Sequence, residues 1–181
     1  MRALVVYESM FGNTRDVALA IADGIGAHLD VEVIEVGMAP TTLPTDIALV
    51  VVGGPTHAHG LSSAKSRADA AQRAGDALVS RGTGISEWLA DLRPGAATVA
   101  AAFDTRIKGP GLLWGSAAKG AAKRLRAGGF RLVADPESFL VDGPTGPLVN
   151  RLVAGEADRA RAWGTTLASR VAAPVLTRQA E

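Results

Sequence analysis

Ser9-Met10-Phe11-Gly12-Asn13-Thr14 lies between an apolar run, Ala3-Leu4-Val5-Val6-Tyr7, and a helical pattern that begins at once. The run is short, continuous and rich in β-branched residues, as in a strand covered on both faces. Beyond the turn, apolar residues recur at Val17, Ala18, Ile21, Ala22, Ile25 and Leu29, the spacing of an amphipathic helix. A strand that feeds a helix this directly leaves the first N–H groups of the helix in the turn, at the positive end of its dipole. Ser9, Asn13 and Thr14 add side-chain donors without adding a cation, a set suited to a phosphate monoester. The same residue types also cap ordinary helices, so the turn alone leaves both readings open.

The rest of the chain repeats the alternation. Val31-Glu32-Val33-Ile34-Glu35-Val36 has the period of an edge strand, and Ile47 to Gly53 is wholly apolar, as in a central one. The Pro- and Thr-rich stretch 40–45 leaves room for a single helical turn between them. The third strand runs into Gly54-Pro55-Thr56-His57-Ala58-His59-Gly60, where glycine and proline stop the strand and let backbone approach a ligand. Residues 61–84 read as part helix and part loop, ahead of a short helix containing Trp88 and Leu89. Thr98 to Phe103 forms a fourth strand that ends in a polar loop, Asp104-Thr105-Arg106-Ile107-Lys108-Gly109-Pro110-Gly111. A helix from 115 to 127 stops at Gly128-Gly129. A fifth strand, interrupted at Asp135-Pro136, lies within 130–141, and a final helix carries Ala157, Ala160, Gly164, Leu167 and Val171. This order predicts one α/β domain over residues 1–181, a doubly wound parallel sheet of five strands with helices on both faces. In the strand order 2-1-3-4-5, the switch point lies between strands one and three, so the first two loops meet there and the third closes the same cleft.

Composition narrows the functional classes. The chain has 181 residues, 48% of them hydrophobic, and lacks Cys, which excludes disulfides, thiolate metal sites and cysteine chemistry. No apolar run reaches spanning length and no secretory pattern opens the chain, so a cytoplasmic location without a membrane span is expected. The net charge of +1 hides an asymmetry: residues 1–60 hold two Arg against seven acids. Between 104 and 131, by contrast, Arg106, Lys108, Lys119, Lys123, Arg124, Arg126 and Arg131 face a single acid. A solvated helix face is the commoner origin of such a patch; its functional use would be to steer an acidic partner, and nucleic acid is not expected. His57 and His59 share one loop but have no third ligand nearby in sequence, so no metal site is assigned.

At this point the chain resembles the flavodoxin family, whose phosphate turn has the form T/S-x-T/F-G-x-T; residues 9–14 match it at both ends and at Gly12. The likeness runs from Met1 to about Ala173, with Gly54-Pro55-Thr56 in the place of the second loop. The Ser-Met-aromatic-Gly start is also similar to flavodoxin-like quinone reductases. The resemblance implies FMN as cofactor, with its phosphate on Ser9, Met10, Phe11, Gly12, Asn13 and Thr14. The ring would lie between Pro55, Thr56, His57, Ala58, His59 and Gly60 on one side and Phe103, Asp104, Thr105 and Arg106 on the other. Gly60 would then be the residue whose peptide turns near flavin N5, and Asp104 to Arg106 would meet the pyrimidine edge or the ribityl chain. A histidine against the ring would add charge on protonation near neutral pH. The expected role is electron transfer to a redox partner protein, with no catalytic residue assigned. A small FMN-dependent quinone reductase and a flavin-free interaction domain are the alternatives. Two features depart from the family pattern: the second loop has no aromatic, and the chain is mildly basic. Trp114, after the third loop, is a candidate for the missing ring, although a core position at a helix start suits it better.

Overall fold

A computed structural model describes residues 1–57, 60–95, 97–108, 115–142 and 151–172. Residues Arg2–Tyr7 form β1, Asn13–Gly26 α1, Asp30–Glu35 β2 and Ile47–Pro55 β3. Ala64–Ala74 form α2, Ile85–Asp91 α3, Val99–Ile107 β4 and Ala117–Ala127 α4. Arg131–Leu132 form β5, Glu137–Val141 β6 and Glu156–Ala172 α5. The crossover from β2 to β3 contains one 3₁₀ turn, Val36–Met38, as the stretch 40–45 requires.

All pairings between these strands are parallel, in the order β2-β1-β3-β4-β5, with β6 also paired to β4. Alternate residues of the central strands supply two cores. Ala3, Val5, Leu49, Val51 and Ala101 pack under α1 and α5, while Leu4, Val6, Val50, Val52, Ala100 and Ala102 pack with Trp88 of α3 and Leu125 of α4. This burial on both faces is why β1 and β3 read as unbroken apolar runs. α1 and α5 approach backbone to backbone: a Cβ at Gly24 would overlap the Arg161 carbonyl oxygen, and one at Gly164 would overlap that of Ile21.

The sheet corrects one boundary. β4 does not end at Phe103, because β6 gives Phe103 to Ile107 a parallel ladder, Phe103↔Glu137 through Ile107↔Val141. The polar residues 104–107, expected in a loop, are therefore strand residues. The break foreseen at Asp135-Pro136 splits the fifth strand position into β5, which pairs Val99 and Ala100, and β6, which pairs the far half of β4. The outer side of β6 is held by α5, where Glu156 Oε2 accepts from Leu140 N–H at 2.7 Å. Arg159 lies 4.4 Å over the Phe139 ring and pairs with Glu156 and Glu137. Such cover protects an edge strand from pairing with another chain.

Candidate functional site

β1 delivers the chain at Glu8, whose N–H donates to Gly53 O at 2.9 Å, and the turn follows at the carboxyl ends of β1 and β3. Gly12 has φ 97°, a left-handed conformation that other residues adopt only with strain, and it precedes the first residue of α1. Ser9 Oγ accepts from Gly12 N–H at 3.1 Å, so the Ser9 hydroxyl proton is left to donate. Thr14 Oγ1 and Thr105 Oγ1 lie 2.7 Å apart; one donates to the other, which leaves one proton of the pair for a ligand. The turn is strapped from outside, since Ser80 N–H donates to Ser9 O at 2.8 Å, Ser9 N–H to Ser80 Oγ at 2.9 Å and Val79 N–H to Met10 O at 3.2 Å.

Above the turn is a cleft of about 320 Å³. Of the residues expected from sequence, Ser9, Met10, Phe11, Asn13, Thr14, Pro55, Thr56, His57, Thr105 and Arg106 line it, so the turn after β1, the end of β3 with the residues after it, and the far end of β4 meet there. Ala58, His59, Gly109 to Gly111 and Trp114 lie outside the described residues. Gly60 is not on the lining; its N–H and carbonyl are both bonded to His57, at 3.0 and 2.9 Å.

Two residues leave the site. Phe103 is 0% exposed, and its ring covers Gly53, where any Cβ would collide with it; it packs edge-on to Phe139 at 6.2 Å between ring centres. It is core, not a cleft contact. Asp104 is also 0% exposed, with its Oδ2 accepting from Ser116 Oγ at 2.6 Å, Ala118 N–H at 2.9 Å and Thr56 Oγ1 at 3.0 Å. Through Oδ2 it ties the start of α4 to the loop that carries Thr56, while Oδ1 is buried and, among the described residues, has no partner. The N-terminus of α4 favours a carboxylate there, which explains the placement.

Sequence reading missed the outer wall. α2 contributes Ser66, Asp69, Ala70 and Arg73 to the lining. The signal available was Ser63-x-x-Ser66, which forms a reciprocal capping box at the start of α2. Glu8, 1% exposed, fixes both ends of the segment containing that wall: Oε1 accepts from Ser62 Oγ at 2.5 Å and Oε2 from Ile85 N–H at 2.8 Å. Burial pushes its pKa above the usual carboxylate value, against the lowering effect of these two bonds and of Arg67.

Charge in the cleft is mostly cationic. Among the described residues Arg73 and Arg106 lie on the lining with one acid, Asp69, and Arg106 Nε is buried without a partner. Burial, with Arg73 and then Arg67, lowers the pKa of His57. The shift favours the neutral ring over the protonated one. Among the described residues there is no group of three His, Cys, Asp or Glu able to hold a metal ion.

The family model for flavodoxin matches residues 5–163. The chain belongs to the flavodoxin family. Solved structures agree in fold. A flavodoxin from the domain Archaea is 22% identical, with a TM-score of 0.61 over 94% of this chain and 99% of that one. A short-chain flavodoxin associated with a non-canonical PDU bacterial microcompartment is 14% identical, with a TM-score of 0.63 over the same shares. The flavodoxin of Streptococcus pneumonia TIGR4 is 15% identical with a TM-score of 0.59, again over 94% of this chain and 99% of that one. No curated protein matches the sequence. Among the described lining residues the one benzenoid ring is Phe11, 41% exposed, and Tyr7 packs against the α1–α5 core.

Proposed function

We propose that this chain binds FMN in the cleft and passes electrons between it and a partner protein. The observation that carries the reading is the convergence of a helix N-terminus, the Thr14–Thr105 hydroxyl pair and the unpartnered Arg106 Nε on one cleft of about 320 Å³. An anionic, planar ligand with several acceptors fits these donors. FMN bound there would supply one- or two-electron transfer at its ring.

The chain's own residues divide the work. The first turn of α1, Ser9 and the threonine pair would hold the phosphate, since Ser9 and Thr14 line the cleft beside the start of α1 and a helix favours negative charge at that end. Gly12 keeps the turn tight enough for backbone to reach the ligand, and the Ser80 strap holds it in that shape before a ligand arrives. Pro55 to His57 and Arg106 would border the ring. In its neutral form His57 can accept or donate one hydrogen bond there without adding charge. Phe11 and Ile107, 41% and 39% exposed, rim the opening and offer apolar contact to a docking protein. Lys119, Lys123, Arg124 and Arg126 are exposed on α4, which suits a partner with an acidic surface. No described helix is long and apolar enough to cross a membrane.

The test is reconstitution: protein mixed with excess FMN and passed through a desalting column should retain flavin absorbance in proportion to protein. Complete loss of flavin on the column, at protein concentrations well above micromolar, would exclude the reading.

A further inference from the structure

Of the ionisable groups at the cleft, Arg106 and Arg73 line it with a single acid, Asp69, between them. Among the described residues neither arginine forms an ion pair. Arg73 spends Nε on the Asp69 carbonyl oxygen at 3.3 Å, while Arg106 Nε is buried with no acceptor. A buried charged donor without an acceptor is costly, so the site has a standing demand for negative charge. The other charges nearby do not meet it. Arg67 is matched by Glu87 at 2.8 Å, and Asp104 gives Oδ2 to Ser116, Ala118 and Thr56, its buried Oδ1 making no hydrogen bond to Arg106. Glu8 lies behind the wall, bonded to Ser62 and Ile85.

We infer that Arg106 and Arg73 make this cleft hold reduced FMN more tightly than oxidised FMN, so that bound flavin is reduced at a higher potential than free flavin. The inference rests on the reading that the cleft binds FMN. Reduction adds two electrons and one proton to a neutral ring and leaves one negative charge on it. The two arginines are attracted to that charge and indifferent to the neutral ring. Arg106 is half-buried and acts through a lower dielectric than exposed Arg73, so its effect is the larger. A flavin site walled by acids would show the reverse order of affinities. The chain would then serve as an electron acceptor of moderate potential, drawing on reductants too weak to reduce a flavin in an acidic site.

The experiment measures two quantities in wild type, Arg106→Gln, Arg106→Lys and Arg73→Gln. Quenching of flavin fluorescence gives the affinity for oxidised FMN, and titration with dithionite beside a redox dye gives the midpoint potential. Wild-type bound FMN should lie above free FMN. Arg106→Gln should weaken the reduced form roughly tenfold more than the oxidised form, a fall of about 30 mV for the two-electron couple. Arg73→Gln should cost roughly threefold, about 15 mV, and Arg106→Lys should restore most of the loss. A wild-type potential at or below that of free FMN, or an unchanged potential in both Gln variants with FMN still bound, overturns the inference and leaves FMN binding standing. A flat fluorescence titration in wild type removes the FMN reading, and this inference with it. Exposed Arg73 keeps the test decisive if Arg106→Gln fails to fold.

Discussion

Asp104 separates a structural role from a ligand role in one substitution. Its Oδ2 receives three donors, Ser116 Oγ, Ala118 N–H and Thr56 Oγ1, at 2.6, 2.9 and 3.0 Å. Asp104→Asn keeps the shape and an acceptor oxygen but removes the charge. Hydrogen bonds to a charged group are worth about 1.5–3 kcal/mol each against roughly 0.5–1.5 for neutral ones, so three weakened bonds cost about 3–4.5 kcal/mol. Relief from burying a carboxylate offsets part of that, and a net loss of about 1–2 kcal/mol is expected. Asp104→Ala leaves all three donors short of an acceptor at a buried site, and about 3–5 kcal/mol should be lost. Urea unfolding of the FMN-free protein reads both values from the midpoint at constant slope. Both losses should be present without flavin, and Asp104→Asn should change FMN affinity less than about fivefold, through the Thr56 loop alone. If Asp104→Asn leaves the FMN-free midpoint unmoved while FMN affinity falls more than a hundredfold, the carboxylate contacts the ligand and the structural assignment is wrong.

Other expectations concern the frame, its titration and its surface. Gly164→Ala places a methyl on the Ile21 carbonyl, so α1 and α5 must move apart; a loss of about 2 kcal/mol or more is expected in thermal or urea unfolding, against near neutrality at exposed Gly26. Burial raises the Glu8 pKa above its usual 4.5. Its contribution to stability is therefore full below that value and is lost as pH rises through the folded pKa. Stability curves at a series of pH values should show this declining component in wild type and lack it in Glu8→Gln. Charge reversal at Lys119, Lys123 and Arg124 should remove most of the salt dependence of electron-transfer rate, because steering is screened over about 10 Å at 0.1 M salt. Stopped-flow rates indifferent to salt in wild type would return α4 to an ordinary solvated face.

The parts of this fold that sequence revealed are those where one physical demand dominated. β1 and β3 are buried on both faces, so their residues are continuously apolar and their limits were visible. The turn at 9–14 was visible because an unbroken apolar run passes there directly into a helical pattern, although its Ser, Asn and Thr left an ordinary helix cap and a phosphate turn equally open. The far half of β4 was hidden: Asp104 to Arg106 are polar, and what makes them strand is pairing with Ser138 to Leu140 on one side and, for Asp104 and Thr105, with Gly54 and Pro55 on the other, partners distant in the chain. Phe103 was ambiguous for a related reason, since only its opposition to Gly53 shows which side of the sheet it fills. α2 was blurred by composition. It buries only Ala70, so its apolar stripe is too thin for periodicity to reveal, although Ser63 and Ser66 marked its start. Arg73 and Asp69 therefore entered the site from a segment that sequence left undecided. The lowered pKa of His57 was likewise illegible, because it follows from burial and from arginines on another element.

The central claim is that residues 9–14 hold a phosphate group belonging to a flavin. Fluorescence titration of the apoprotein with FMN and with riboflavin, which differ by that phosphate alone, tests it most directly. FMN should bind at least a hundredfold more tightly than riboflavin, about 2.7 kcal/mol. Thr14→Ala should reduce the difference by about 1–3 kcal/mol while riboflavin affinity stays as it was. Equal affinities for FMN and riboflavin in wild type would contradict the account.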